Sequence, residues 1–220
     1  MYPILIYCYD AYCGWCYGFS PVLKKIFEEY QTRFQFETLS GNMIPVTSAY
    51  PIGRMAGYIQ KAYKNVEEQT GIKFGEDYLW HIFHPDESDW EPHSEKAAIA
   101  LCVFKDYYPG QSVLFAADLQ YALHYEGRDL TDDEAYRHLL EKYNIPAGEF
   151  YSKLHNEEYK EKAYYEFTLV KQLQVNGFPT VFIQTGETKF YLIARGYTDY
   201  ESLEDRIGSV LKELSATTPS

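Results

Sequence analysis

Cys13 and Cys16 stand with two residues between them in the run Tyr12-Cys13-Gly14-Trp15-Cys16-Tyr17, and thiols at that spacing support two kinds of chemistry. They can close a disulfide across one helical turn, or they can supply half of a zinc site. A zinc site normally adds a second cysteine pair or histidines. The other cysteines, Cys8 and Cys102, lie in an apolar strand-like run and an apolar helical run, where each reads as a small buried hydrophobe. Redox chemistry is the stronger reading. At a helix start, unpaired N–H groups and the positive end of the dipole favour an anion. Cys13 is then the expected nucleophile, and Cys16, deeper in the helix, is the thiol that resolves the mixed disulfide. Gly14 leaves room for a partner backbone. Trp15, Tyr12, Tyr17 and Phe19 put aromatic bulk around the sulfurs, an apolar rim suited to a peptide, although Phe19 reads more simply as core.

The elements that must hold this pair follow from periodicity. Residues 4–9 form a short apolar run rich in β-formers, and from Gly14 the residues Phe19, Val22, Leu23, Ile26, Phe27 and Tyr30 recur at helical spacing. The cysteines therefore sit where a strand turns into a helix, and Pro21 inside that helix predicts a kink. Alternation over 34–39 predicts a second strand, closed by Gly41-Asn42. From about Pro45 to Gly148 the alternation stops, and 58–69, 95–107, 112–125 and 132–143 read as helices. Pro92 suits a first helical turn, Pro109-Gly110 a helix break, and Thr131 the cap of a capping box. A helical stretch over 149–174, strands at 181–184 and 190–194 and a helix over 199–214 complete the chain, with a frayed tail at 215–220. The expected class is α/β, a central mixed sheet flanked by helices with a large all-helical insertion. The expected segments are 1–44, the inserted 45–150, and 151–220.

Composition narrows the partners. Thirty-two acidic against twenty basic side chains give a formal charge of −12 over 220 residues, which repels nucleic acid phosphates and anionic membrane surfaces. The mean hydropathy is −0.41, and no apolar run approaches the roughly 20 residues a transmembrane helix needs. Met1 leads at once into Pro3-Ile4-Leu5-Ile6, too short for a secretory leader, so a cytoplasmic address is expected. Four cysteines are too few for a disulfide scaffold.

A strand, a C-x-x-C opening a helix with Pro21 five residues on, a second strand, and a distant Gly177-Phe178-Pro179-Thr180 entering a strand together resemble the thioredoxin superfamily. The helical block narrows the resemblance to the DsbA-like branch. The run Tyr9-Asp10-Ala11-Tyr12-Cys13-Gly14-Trp15-Cys16-Tyr17-Gly18-Phe19-Ser20-Pro21 resembles the FrnE-like protein-disulfide isomerases. That resemblance implies a thiol–disulfide oxidoreductase in which Pro179 is a cis-proline packed on the cysteine pair and the Phe178 backbone pairs with an extended substrate. An X-Pro bond is where a cis peptide costs least, and proline at a strand start leaves no N–H unsatisfied. The implied partners are protein or peptide thiols and disulfides, with glutathione as an allowed co-substrate and no cofactor beyond the cysteine pair itself. The Gly-Trp dipeptide tunes the thiolate and leaves the redox direction open.

Two other readings compete. The kappa-class glutathione transferases and hydroxychromene carboxylate isomerases resemble this chain in fold, but they carry serine in place of the first cysteine. A zinc-binding or scaffold module would join Cys13 and Cys16 to His81 and His84, three residues apart on one predicted helix face. Glu91-Pro92-His93 either lines a substrate groove or caps a helix.

Overall fold

The computed structural model describes residues 3–217, so Met1 and the end of the expected tail, 218–220, lie outside the described residues. Four strands form one mixed sheet in the order β2-β1-β3-β4: β1 (Ile4–Tyr9), β2 (Gln35–Ser40), β3 (Thr180–Gln184) and β4 (Phe190–Arg195). β1 runs parallel to β2, with Ile6 opposite Glu37, and antiparallel to β3, with Cys8 opposite Thr180. Because β1 is central and covered on both faces, its sequence is a nearly unbroken apolar run. Its side chains still alternate. Leu5, Tyr7 and Tyr9 enter the main core, whereas Ile6 and Cys8 join a smaller cluster with Leu39 and Val170.

Helix α1 (Gly14–Tyr30) follows β1 directly and buries Phe19, Leu23, Ile26 and Phe27. It continues through Pro21, which lies on its exposed face. Between β2 and β3 come α2 (Gly53–Thr70), α3 (Glu76–Phe83), α4 (Glu95–Tyr107), α5 (Ser112–His124), α6 (Arg137–Lys142), α7 (Ala147–Leu154) and α8 (Glu157–Gln172). α9 (Tyr200–Thr217) closes the described chain, so residues 215–217 of the expected tail are helical. One core cluster joins residues of the sheet, α1 and the helical block, and the expected segment boundary at 150 falls inside α7.

Three local expectations fail for identifiable reasons. Thr131 does not cap a helix, because its N–H and hydroxyl both donate to Asp129 Oδ1 at 2.8 Å. Asp132 caps instead, accepting the Glu134 N–H, and a 3-10 turn (Asp133–Tyr136) precedes the short α6. Pro92 lies outside any helix. α4 begins three residues later, where the Ser94 hydroxyl is taken by Asp10 rather than by the helix end. The stretch over 149–174 is two helices, since the Asn156 side chain accepts the Glu158 N–H at 2.9 Å and starts a new one. α3 contains His81, but it ends at Phe83, so His84 falls outside the helix face on which the two histidines were expected. Among the described residues, no helix is long and apolar enough to cross a membrane.

Candidate active site

Cys13 is the N-cap of α1, and its sulfur accepts the Cys16 N–H at 3.4 Å. Its own N–H donates to the Asp10 carbonyl at 3.1 Å, which shapes the turn between β1 and α1. Cys13 keeps 7% exposure while Cys16 has none, so one thiol can be reached and the other lies behind it. Burial pushes the Cys16 thiol well up, and its contact with Cys13 pushes it further. Cys8 and Cys102 are buried free thiols, Cys8 pushed up by burial to about 12, which fits their reading as small hydrophobes.

The distant loop arrives opposite this pair. The Phe178–Pro179 peptide bond is cis, and the Phe178 carbonyl lies 3.6 Å from Cys13 Sγ. Two contacts hold the loop: the Gly196 N–H donates to the Pro179 carbonyl at 2.8 Å, and the Phe178 ring lies against Gly41 at the end of β2. A Cβ at Gly41 would sit 1.9 Å from that ring, so only glycine permits the approach. Below the turn, the buried Asp10 carboxylate accepts the N–H groups of Tyr12 (3.0 Å) and Met43 (2.7 Å) and the Ser94 hydroxyl (3.0 Å). Burial raises its carboxyl and these three donors oppose the rise. Asp10 thereby ties the cysteine turn to the segment after β2 and to the start of α4.

A cavity of about 370 Å³ opens beside Cys13. One side is Tyr12, Cys13, Gly14 and Trp15 with Asn176, Gly177 and Phe178. The opposite wall comes from α2, through Met55, Tyr58, Ile59, Ala62, Tyr63 and Val66, and from Phe74 and Tyr78. Among the described residues, no lysine, arginine, histidine or carboxylate lines it. The arrangement offers a cap-stabilised sulfur, a buried second thiol, a backbone carbonyl beside the first, and an apolar recess.

The profile of the DSBA-like thioredoxin domain matches residues 4–208, nearly the whole chain. The chain belongs to that family. Its fold is similar to that of a "putative protein disulfide isomerase" from Nitrosomonas europaea, with 24% identity, a TM-score of 0.83 and coverage of 97% of this chain and 99% of that one. It is similar also to the cytosolic disulfide reductase DsbM from Pseudomonas aeruginosa (22% identity, TM-score 0.75, coverage 97% and 100%), solved with GSH as well. A third similar structure is 2-hydroxychromene-2-carboxylate isomerase (14% identity, TM-score 0.67, coverage 98% and 100%). No curated protein sequence matches the chain.

Within this DSBA-like fold the anticipated residues mostly converge. Cys13, Gly14, Trp15 and Phe178 line one cavity, with Cys16 behind Cys13 and Pro179 bonded to Phe178. Tyr17 turns away from it: its ring stacks on His124 at 5.0 Å and its hydroxyl donates to the Lys73 carbonyl. Phe19 is fully buried core, and Glu91, Pro92 and His93 are not among the lining residues. His84 lies past the end of α3 and stacks on Trp80, whereas His81 stacks on Trp90 at 3.9 Å, so the two do not share a helix face. Among the described residues, no three His, Cys, Asp or Glu side chains gather as a metal would need. The α2 wall was missed by the sequence reading. Its signal was present, because Met55, Ile59, Ala62 and Val66 recur at helical spacing beside a Tyr58 that stays 69% exposed.

Proposed function

We propose that the protein is a thiol–disulfide oxidoreductase working by mixed-disulfide exchange through Cys13 and Cys16. The observation that carries this reading is the Cys13 sulfur at the α1 N-cap, 3.6 Å from the Phe178 carbonyl, at the mouth of an apolar cavity. The Cys16 N–H donates to Cys13 Sγ at 3.4 Å, as an N–H does to a cap at a helix start. The Cys13 thiolate attacks one sulfur of a client disulfide, a new S–S bond forms, and the other client sulfur leaves as a thiolate that takes a proton from water. Cys16 then attacks Cys13 Sγ. That closes the Cys13–Cys16 disulfide and frees the second client thiolate, leaving the client reduced by two electrons and the pair oxidised. Run backwards, the same steps oxidise a dithiol. The Phe178 backbone pairs with the extended client.

The uncharged recess selects an apolar side chain next to the reacting sulfur, so protein and peptide disulfides are the main substrates. Glutathione serves as a co-substrate whose carboxylates stay outside the recess. The similarity to DsbM, described as cytosolic and solved with GSH, supports both this role and a cytoplasmic setting.

Mass spectrometry of the reduced protein under brief alkylation tests the reading. Cys13 is expected to label at least tenfold faster than Cys102 at neutral pH, and Cys16→Ala to accumulate mixed disulfides with clients. Equal labelling of Cys13 and Cys102 would sink the proposal. Glutathione conjugation that survives Cys13→Ser would move the protein to the transferase class. Equilibrium of the pair against glutathione then assigns oxidase, isomerase or reductase work.

A further inference from the structure

We infer that the side-chain amide of Asn176 reads the client's backbone, pairing with one peptide group of an extended chain beside the reacting disulfide and so favouring peptide disulfides over small ones. The inference deepens the proposed exchange reading and rests on it. Asn176 stands two residues before Phe178 and lines the same recess as Cys13. The loop that carries it is pinned on both sides. The chain leaves α8 through Gln174 at a φ of 56°, the Val175 N–H donates to the Val170 carbonyl at 3.2 Å, and Val175 packs against the small cluster around Cys8 and Leu39. Beyond Asn176, the Thr180 hydroxyl donates to the Gly177 carbonyl at 2.8 Å and the Gly196 N–H holds the Pro179 carbonyl. Val175 turns inward, Asn176 faces the recess, and both ends of the ledge are fixed.

The ordinary structural reasons for an asparagine in a loop are missing here. Asparagine is favoured where φ is positive or where its side chain bonds the local backbone. Among the described residues, the non-glycine positions with positive φ are Asn42, Asn144 and Gln174, and the Asn176 side chain is exposed with no hydrogen bond of its own. The backbone beside it is also open. Among the described residues, the N–H groups of Asn176, Gly177 and Phe178 donate to no backbone carbonyl, and a Cβ at Gly177 would meet nothing within 4 Å. An extended ledge with free N–H groups accepts an added chain, and a side-chain amide offers the donor and acceptor that a peptide group needs. Two residues of extended chain span about 7 Å, so a client paired at Phe178 carries a further peptide group over Asn176. The other side-chain oxygens of the recess are tyrosine hydroxyls. Tyr12 and Tyr78 are buried, Tyr63 is half-buried, and Tyr58 stands on the opposite wall. A disulfide that has no peptide group gains nothing from Asn176.

Mixed-disulfide formation in Cys16→Ala isolates this contact, because the reaction stops after the first exchange. Two neutral probes are compared. One is an N-acetylated, C-amidated heptapeptide with a central cysteine among apolar residues, joined to its own copy as a disulfide; the other is 2-hydroxyethyl disulfide, which has no peptide bond. Adding Asn176→Ala is expected to lower the ratio of the peptide rate constant to the hydroxyethyl rate constant about fivefold, the effect of losing one net hydrogen bond. The loss is expected in the half-saturating peptide concentration, with the limiting rate retained, and Asn176→Gln is expected to recover at least half of it. Peptides with a single ester in place of one backbone amide locate the contact: one position is expected to slow Cys16→Ala about fivefold and to add nothing once Asn176→Ala is present. An unmoved ratio overturns the inference, whether both rates fall together or neither changes, and so does a peptide-specific loss produced by Tyr58→Phe in place of Asn176→Ala. Normal adduct formation at Cys13 with an unmoved ratio rejects Asn176 alone, whereas failure of Cys16→Ala to form either adduct rejects the exchange mechanism and Asn176 with it.

Discussion

Residues that titrate near neutrality while buried report on the walls of the site, and His124 is the clearest of them. It is 1% exposed, stacked on Tyr17, and its Nδ1 contacts the Gln120 carbonyl at 3.0 Å. Burial lowers its pKa to about 4. Unfolded chain takes up this proton near pH 6.5, so as pH falls from there towards 4 the unfolded state binds a proton that the folded state refuses. Stability is full above pH 6.5 and is lost through that window. The expected loss from this one group between pH 7 and pH 5 is about 2 kcal/mol. Urea unfolding at the two pH values checks it, and His124→Phe is expected to remove that part of the slope. A slope unaltered by the substitution would mean that His124 protonates in the folded protein. The cysteine pair, Gly14, Trp15 and the Phe178-Pro179 step were legible because each belongs to a short local pattern.

Elements are joined around the site by a buried ionic node. Lys105 of α4 reaches the Thr38 carbonyl and Glu166 Oε1, both at 2.6 Å, and also pairs with Glu37. Glu166 of α8 in turn accepts the Ser40 N–H at 3.0 Å, at the end of β2 that leads to Gly41 and the Phe178 ring. Burial would lower the Lys105 ammonium, but the carboxylates of Glu166 and Glu37 outweigh it and raise the pKa. Lys105→Met leaves Glu166 buried beside a thiol without its counter-ion, and the expected cost is about 3 kcal/mol in urea denaturation. Lys105→Met with Glu166→Gln is expected to cost less than the sum of the two single changes. Strict additivity would show that the pair does not act as a unit. The helices themselves were readable where apolar periodicity was strong, as in α1 and α4. Their ends were not, since Asp129 captured Thr131 and Asn156 split one predicted helix, and both events depend on side-chain hydrogen bonds that no spacing rule ranks.

On the scale of the whole molecule, a formal charge of −12 surrounds a recess that carries no charge of its own. On the proposed mechanism, exchange with an anionic disulfide such as oxidised glutathione would meet a repulsive field, whereas exchange with a neutral apolar disulfide would not. Raising ionic strength shortens the Debye length from about 30 Å at 0.01 M to about 10 Å at 0.1 M. Stopped-flow rates are expected to rise severalfold with salt for the anionic substrate and to stay flat for the neutral one. Parallel salt curves for the two would argue against the field as a selector.

The amino-acid order by itself marked out the paired cysteines, the strand-to-helix turn that presents them and the helical character of the block between β2 and β3. Those properties depend on neighbours a few residues apart, and periodicity and capping chemistry carry that information. Tertiary structure alone decided that the Phe178 carbonyl would meet Cys13 and that α2 would wall the recess. Each of these joins segments whose separation in sequence bears no relation to their distance in space, and only the packing of a shared core brings them together.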